Sequence, residues 1–120
     1  MKENIIKSKS FAFALNIVKL YQYLTDAKKE YILSKQLLRS GTAIGAMVRE
    51  AEHAESKADF IHKLSIGLKE ANETEYWLEL LQQSGFLDEN NFESIKVEIK
   101  ELLRLLISII KSSKKMTIDN

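Results

Sequence analysis

Two short clusters in this sequence have the residue types of a metal site. Glu50-Ala51-Glu52-His53 is an E-x-x-H, and Asp59-Phe60-Ile61-His62 is a D-x-x-H. Helical bundles that hold paired iron or manganese ions use two E-x-x-H motifs plus two further glutamates, all directed inward. The chemistry therefore depends on which way the histidines face. At about 100° per helical residue, Leu37, Gly41, Ile44, Val48 and Ala51 fall within roughly 80° of one another and mark an inner stripe. His53 lies roughly opposite that stripe, and His62 lies roughly opposite the stripe of the next helix. Both motifs read as surface histidines, and no metal, cofactor or catalytic residue is expected. Glu75 is different, because it falls on an inner arc between Ala71 and Leu78. A buried carboxylate needs a partner, so a boundary position or a structural ion pair is expected there. No second acid or histidine is placed to make it catalytic. The phosphate-loop, dinucleotide and nucleophile-elbow fingerprints are all absent from the sequence. A metal-dependent enzyme stands only as a third reading.

Two sets of cations could track a phosphate backbone. Lys96, Lys100, Arg104, Lys111 and Lys114 lie within about 80° of one another on one helix. Lys35, Arg39 and Arg49 share an outer arc on another. Glu93 and Glu50 dilute these sets, and a solvated helix face is the plainer reading of each. The apolar residues also exceed what one core needs. Ile66, Tyr76, Trp77 and Leu80 form a second set on the outer side of their helix. Leu103, Leu105, Ile107 and Ile110 spread beyond a regular seam on theirs. A Trp on an outer face and a helix apolar on more than one side suggest a subunit interface, so these eight residues are the candidate oligomer contacts.

The elements that must position these groups are four amphipathic helices. Ile6, Ala14, Ile17, Val18, Tyr21 and Leu24, broadened by Phe11, Phe13 and Leu20, predict a helix over about 8–24, with a start as early as Asn4 left open. Thr25 to Glu30 reads as a loop. A second helix over about 32–54 has a poorly defined start and carries Gly41 and Gly45. Each Gly costs roughly 1 kcal/mol of helix propensity relative to Ala, so a G-x-x-x-G here implies the close approach of another helix. Glu55-Ser56 is a weak break, and one continuous long helix is the alternative there. Ser56-Lys57-Ala58-Asp59 has the form of a capping box opening a third helix over about 57–84. Phe60, Leu64, Gly67, Leu68, Ala71, Leu78 and Leu81 form its inner stripe. Gly85 suits a left-handed stop with Phe86 folding back on Leu81. Asp88 suits an N-cap, and Leu87 and Phe92 are spaced as a hydrophobic staple. The fourth helix, over about 89–113, has the cleanest seam: Phe92, Ile95, Ile99, Leu102, Leu106 and Ile109. The tail from Lys114 to Asn120 reads as polar and frayed. The fold class expected is all-α: a single domain, 1–120, folded as an antiparallel up-down-up-down four-helix bundle.

With 120 residues, 45% of them apolar, the chain suits one core rather than two. There are no cysteines, so disulfides and thiolate metal sites are excluded. The most apolar run, Leu102 to Ile110, is far shorter than the roughly 20 residues of a membrane span, and the start lacks a signal-peptide core. A cytoplasmic protein is expected. The formal net charge is +1, so nucleic-acid binding rests on local faces rather than on the whole molecule.

The stretches Ser34 to Glu50 (SKQLLRSGTAIGAMVRE) and Glu55 to Leu87 resemble the four-helix-bundle family encoded by intervening sequences in bacterial 23S rRNA genes. Gln36, Leu37, Arg39, Ser40, Ile44, Gly45 and Glu50 match the family's second helix. Met47 departs from it where Asn is common, and Arg49 where a small residue is common. The resemblance implies a bacterial cytoplasmic bundle assembling as a ring-like homopentamer. Related proteins include the accessory subunit of diversity-generating retroelements, which binds nucleic acid and a reverse transcriptase. The function expected is non-enzymatic: a homo-oligomeric bundle that could bind RNA or other nucleic acid, or a nucleic-acid-processing protein. A protein-interaction scaffold without nucleic-acid binding is the alternative.

Overall fold

The computed structural model describes residues 2–119, and the side chains of residues 4–116. Four helices follow in order: α1 (Lys2–Asp26), α2 (Leu33–Glu52), α3 (Lys57–Gln83) and α4 (Glu89–Asp119). The connections are short, so each helix must fold back along the one before it. α1 packs on α2, α2 on α3 and α3 on α4, and α1 closes against α4, while among the described residues the diagonal pairs make no close backbone approach. The result is an antiparallel up-down-up-down bundle with extents of 52 × 22 × 20 Å.

The core runs the length of the bundle. α1 contributes Ile6, Phe13, Ile17 and Leu24, and α2 contributes Leu37, Ile44, Val48 and Ala51. α3 contributes Leu64, Ala71, Leu78 and Leu81. Every seam residue of α4 from Phe92 to Ile109 is buried. The first helix differs from expectation in its face. Phe11 and Val18, read as part of the inner stripe, are 51% and 37% exposed. Neighbours in a helix stand about 100° apart, so Ile17 excludes Val18 from the core and Phe13 leaves Phe11 outside.

The helix ends are explicit. Ser56 Oγ accepts from the Asp59 N–H at 3.0 Å, and the Asp59 carboxylate accepts from the Glu55 N–H at 3.2 Å. This reciprocal pair ends the alternative of one continuous helix. α3 stops in a Schellman motif. Gly85 has φ +86°, the Phe86 N–H reaches Leu81 O at 2.9 Å, and the Gly85 N–H reaches Gln82 O at 3.1 Å. Asp88 then caps α4 by accepting from the Asn91 N–H at 2.8 Å, and Leu87 and Phe92 are both buried beside that turn.

The α1–α2 connection carries two features that the sequence hides. Lys29 takes the left-handed position at φ +56°, and the Glu30 N–H reaches back to Leu24 O at 2.9 Å. Glu30 is itself buried at 8% exposure, and its carboxylate accepts from the N–H groups of Ile32, Leu33 and Ser34 at 3.2, 3.0 and 2.6 Å. An acid in a polar loop thus becomes the cap of α2. Burial alone would raise its pKa, but the three backbone donors and the Ser34 side chain outweigh it and hold the carboxyl below its ordinary value.

Gly41 and Gly45 set the α1–α2 spacing. A Cβ on Gly41 would stand 2.9 Å from two side-chain carbons of Ile17, and one on Gly45 would stand 3.4 Å from the backbone oxygen of Ser10. Between α2 and α3, Ser40 and Thr74 are fully buried, with hydroxyl oxygens 2.9 Å apart. Thr74 also lies 2.7 Å from Glu70 O. Donation from Ser40 to Thr74, and from Thr74 to that carbonyl, satisfies both groups.

Candidate functional site

The metal-like residues do not converge. His53 is on the surface, its side chain 86% exposed, with Nε2 3.9 Å from a Glu52 oxygen. Glu50 pairs with Lys63 at 3.5 Å, and His62 is exposed. Among the described residues no group of three or more His, Cys, Asp or Glu is placed to hold a metal ion. Glu75 is partly buried and lies 2.6 Å from the Lys100 ammonium, a structural ion pair, one of the two outcomes expected for it.

That pair also changes the reading of the α4 cations. Lys100 is held across the α3–α4 groove by Glu75, so its charge is largely spent within the chain. The Lys96 ammonium sits 5.5 Å from the centroid of the Phe92 ring. Arg104, Lys111 and Lys114 are exposed and make no ion pair among the described residues. The usable part of the row is therefore the C-terminal half of α4. On α2 the division is similar. Arg39 bridges Glu70, at 2.8 Å, and Glu73 on α3, and its guanidinium is held above its ordinary pKa chiefly by the Glu70 hydrogen bond. Arg49 lies 5.2 Å from the Phe11 ring centroid. Lys35 is exposed. The eight cations expected to form two arcs thus become two bound groups, Arg39 and Lys100, two stacked on rings, and four open ones.

The apolar set divides too. Leu103 and Ile110 are buried at 8% and 6% exposure within the chain's own core. They fill the α4 side of the bundle and leave little surface for a partner. Ile66, Trp77, Leu80 and Leu105 are half-buried. Trp77 packs against the core edge-on to Tyr76, and its indole N–H is enclosed without an acceptor among the described residues. Tyr76 and Ile107 remain exposed, at 57% and 39%. The larger open apolar surface lies on α1, where Phe11, Leu15 and Val18 stand at helical spacing, with Leu15 50% exposed. The sequence reading missed this stripe because it is as apolar as the inner one. Placing Leu15 at the centre of a second stripe, opposite Ile6 and Ile17, would have been the signal.

No helix among the described residues is long and apolar enough to cross a membrane. No curated protein matches the chain. One solved structure similar to it is the crystal structure, at 1.70 Å resolution, of a protein of unknown function from the S23 ribosomal protein family of Bacteroides thetaiotaomicron. It is 58% identical, covers 92% of this chain and 99% of that one, and superposes with a TM-score of 0.92. The paired glycines of α2, the Ser56 cap and the Gly85 stop lie within residues 2–108, which match the 23S rRNA-intervening sequence proteins. The chain belongs to that family.

Proposed function

We propose that this protein is a non-enzymatic, homo-oligomeric bundle of the bacterial cytoplasm that associates with RNA through its α4 face. The observation that carries the nucleic-acid part is the run of Arg104, Lys111 and Lys114 on one arc, exposed and without ion pairs among the described residues. Phosphates would be held electrostatically, with Lys35 and Arg49 on α2 as a secondary patch. Assembly is supported by the open stripe of Phe11, Leu15 and Val18, an apolar surface that a second copy would cover. A pentamer is the assembly that the family resemblance favours, and a nucleic-acid-processing protein is the partner class that would join it.

The test is RNA retention measured between 50 and 200 mM salt, alongside light-scattering mass with absorbance recorded across the peak. We expect an oligomer mass and binding that weakens steeply with salt. Reversing Arg104 and Lys111 to Glu is expected to weaken binding for all sequences and to reduce the salt slope by about 1 per contact. No retention at 50 mM salt would remove the RNA reading. Capture of a specific protein free of nucleic acid would favour a scaffold, the reading that Tyr76 and the α1 stripe support.

A further inference from the structure

The four helices differ in length, and the mismatch leaves a cavity at one end of the bundle. α2 stops at Glu52 after 20 residues, while α4 runs for 31. At about 1.5 Å per residue the difference is roughly 16 Å of helix. Among the residues that α2 and its turn place at this end, Ala51 and Ala54 are small. The space left has a volume of about 730 Å³, within the roughly 300–1,000 Å³ of small-molecule sites. Its floor is apolar and comes from all four helices: Ile6, Val48, Leu64 and Ile109, each no more than 4% exposed. Phe60 lines the wall, and Met116 stands at the mouth with 55% exposure.

The charged groups of the lining are Glu52 and Lys57, and one hydroxyl, that of Ser113, is buried at 6% exposure. The charge of Glu52 is matched by the Lys7 ammonium at 2.9 Å. Lys57 has no ion-pair partner among the described residues and lies on the opening turn of α3. Ser56 and Ser112 add hydroxyls. A half-open apolar cleft beside one uncompensated cation matches a molecule with a hydrocarbon tail and an anionic head.

We infer that this end cavity binds a single-chain amphiphile of the fatty-acid class, tail on the Ile6, Val48, Leu64 and Ile109 floor and carboxylate at Lys57. The inference is independent of the RNA reading, which uses neither the cavity nor Lys57. Tail burial sets the affinity and Lys57 sets the preference for an anion.

The experiment is calorimetric titration of the full chain with octanoate, decanoate and dodecanoate below their micelle concentrations, with dodecanol as the uncharged control. One site per chain is expected, tightening by about fourfold for each added methylene. Lys57→Glu is expected to weaken dodecanoate by about tenfold and to leave dodecanol within twofold. Ala54→Trp, which fills the mouth, is expected to abolish both while circular dichroism remains that of the parent. In the parent protein, methyl NMR shifts on titration are expected at Ile6, Val48, Leu64 and Ile109. Absence of saturable binding, affinity that does not rise with chain length, or shifts confined to the α1 stripe would each overturn the proposal.

Discussion

Glu30 shows how much one side chain can organise here. Its carboxylate collects three backbone N–H groups that the first turn of α2 leaves without helical partners. Removing it as Glu30→Ala is expected to cost about 1–2 kcal/mol. The pH dependence has a definite sign. The folded pKa lies below the model-peptide value of 4.5. The stabilisation is therefore complete above that value and is lost as pH falls through the lower, folded pKa. Thermal melts from pH 7 to pH 3 are expected to show an acid limb that flattens in Glu30→Gln. An unchanged acid limb would show that the carboxylate is not titrating as the geometry requires. Arg39 works differently. It is half exposed, so its bridge to Glu70 and Glu73 orients α2 on α3 more than it stabilises the fold, and it leaves that cation little freedom to bind phosphate.

At the level of elements, the two glycines of α2 have opposite expectations. An alanine at position 45 would meet its nearest neighbour at 3.4 Å, an ordinary contact, so Gly45→Ala is expected to stabilise by about 0.5–1 kcal/mol through helix propensity. An alanine at position 41 would stand 2.9 Å from the branched carbons of Ile17. Overpacking of that kind costs about 1–3 kcal/mol, more than the propensity gain, so Gly41→Ala is expected to destabilise. Urea unfolding of the two variants separates these cases; equal effects would mean that α1 is not held against α2 at this spacing. The stop of α1 yields a third expectation. Lys29 occupies a left-handed position that favours glycine. Lys29→Gly is expected to raise stability by about 0.5–1 kcal/mol, read as an upward shift in Tm. A fall would show that the Lys29 side chain does more than occupy the turn.

At the level of the whole molecule, one side of α1 is left apolar and open. Phe11→Glu with Leu15→Glu places two charges on that stripe without touching the core. If the stripe is a subunit contact, light scattering is expected to move from an oligomer to a monomer mass, with helicity retained. An oligomer that survives both substitutions would direct attention to Tyr76 and Ile107 instead. The solved relative from Bacteroides thetaiotaomicron shares the same bundle over nearly its whole length.

The sequence by itself determined the bundle. Apolar residues at helical spacing, a Ser-x-x-Asp cap, a Gly-Phe stop and an Asp cap are local signals, each acting within a few residues, so they can be read in one dimension. The helix class, their number and the antiparallel order follow from them. Local spacing cannot decide between two apolar stripes on one helix, and α1 has two. Only the positions of α2 and α4 put Ile6 and Ile17 inside and Leu15 outside. Glu30 was hidden for a related reason, since a cap that reaches forward from a loop has no fixed sequence form. The functional surfaces were legible as residue types and not as free groups. Arg39 and Lys100 look like phosphate ligands until α3 brings Glu70, Glu73 and Glu75 against them. Leu103 and Ile110 look like interface until the other helices bury them. Whether a charge or an apolar side chain is available depends on what stands across a groove, and that neighbour comes from a different helix, tens of residues away in the chain.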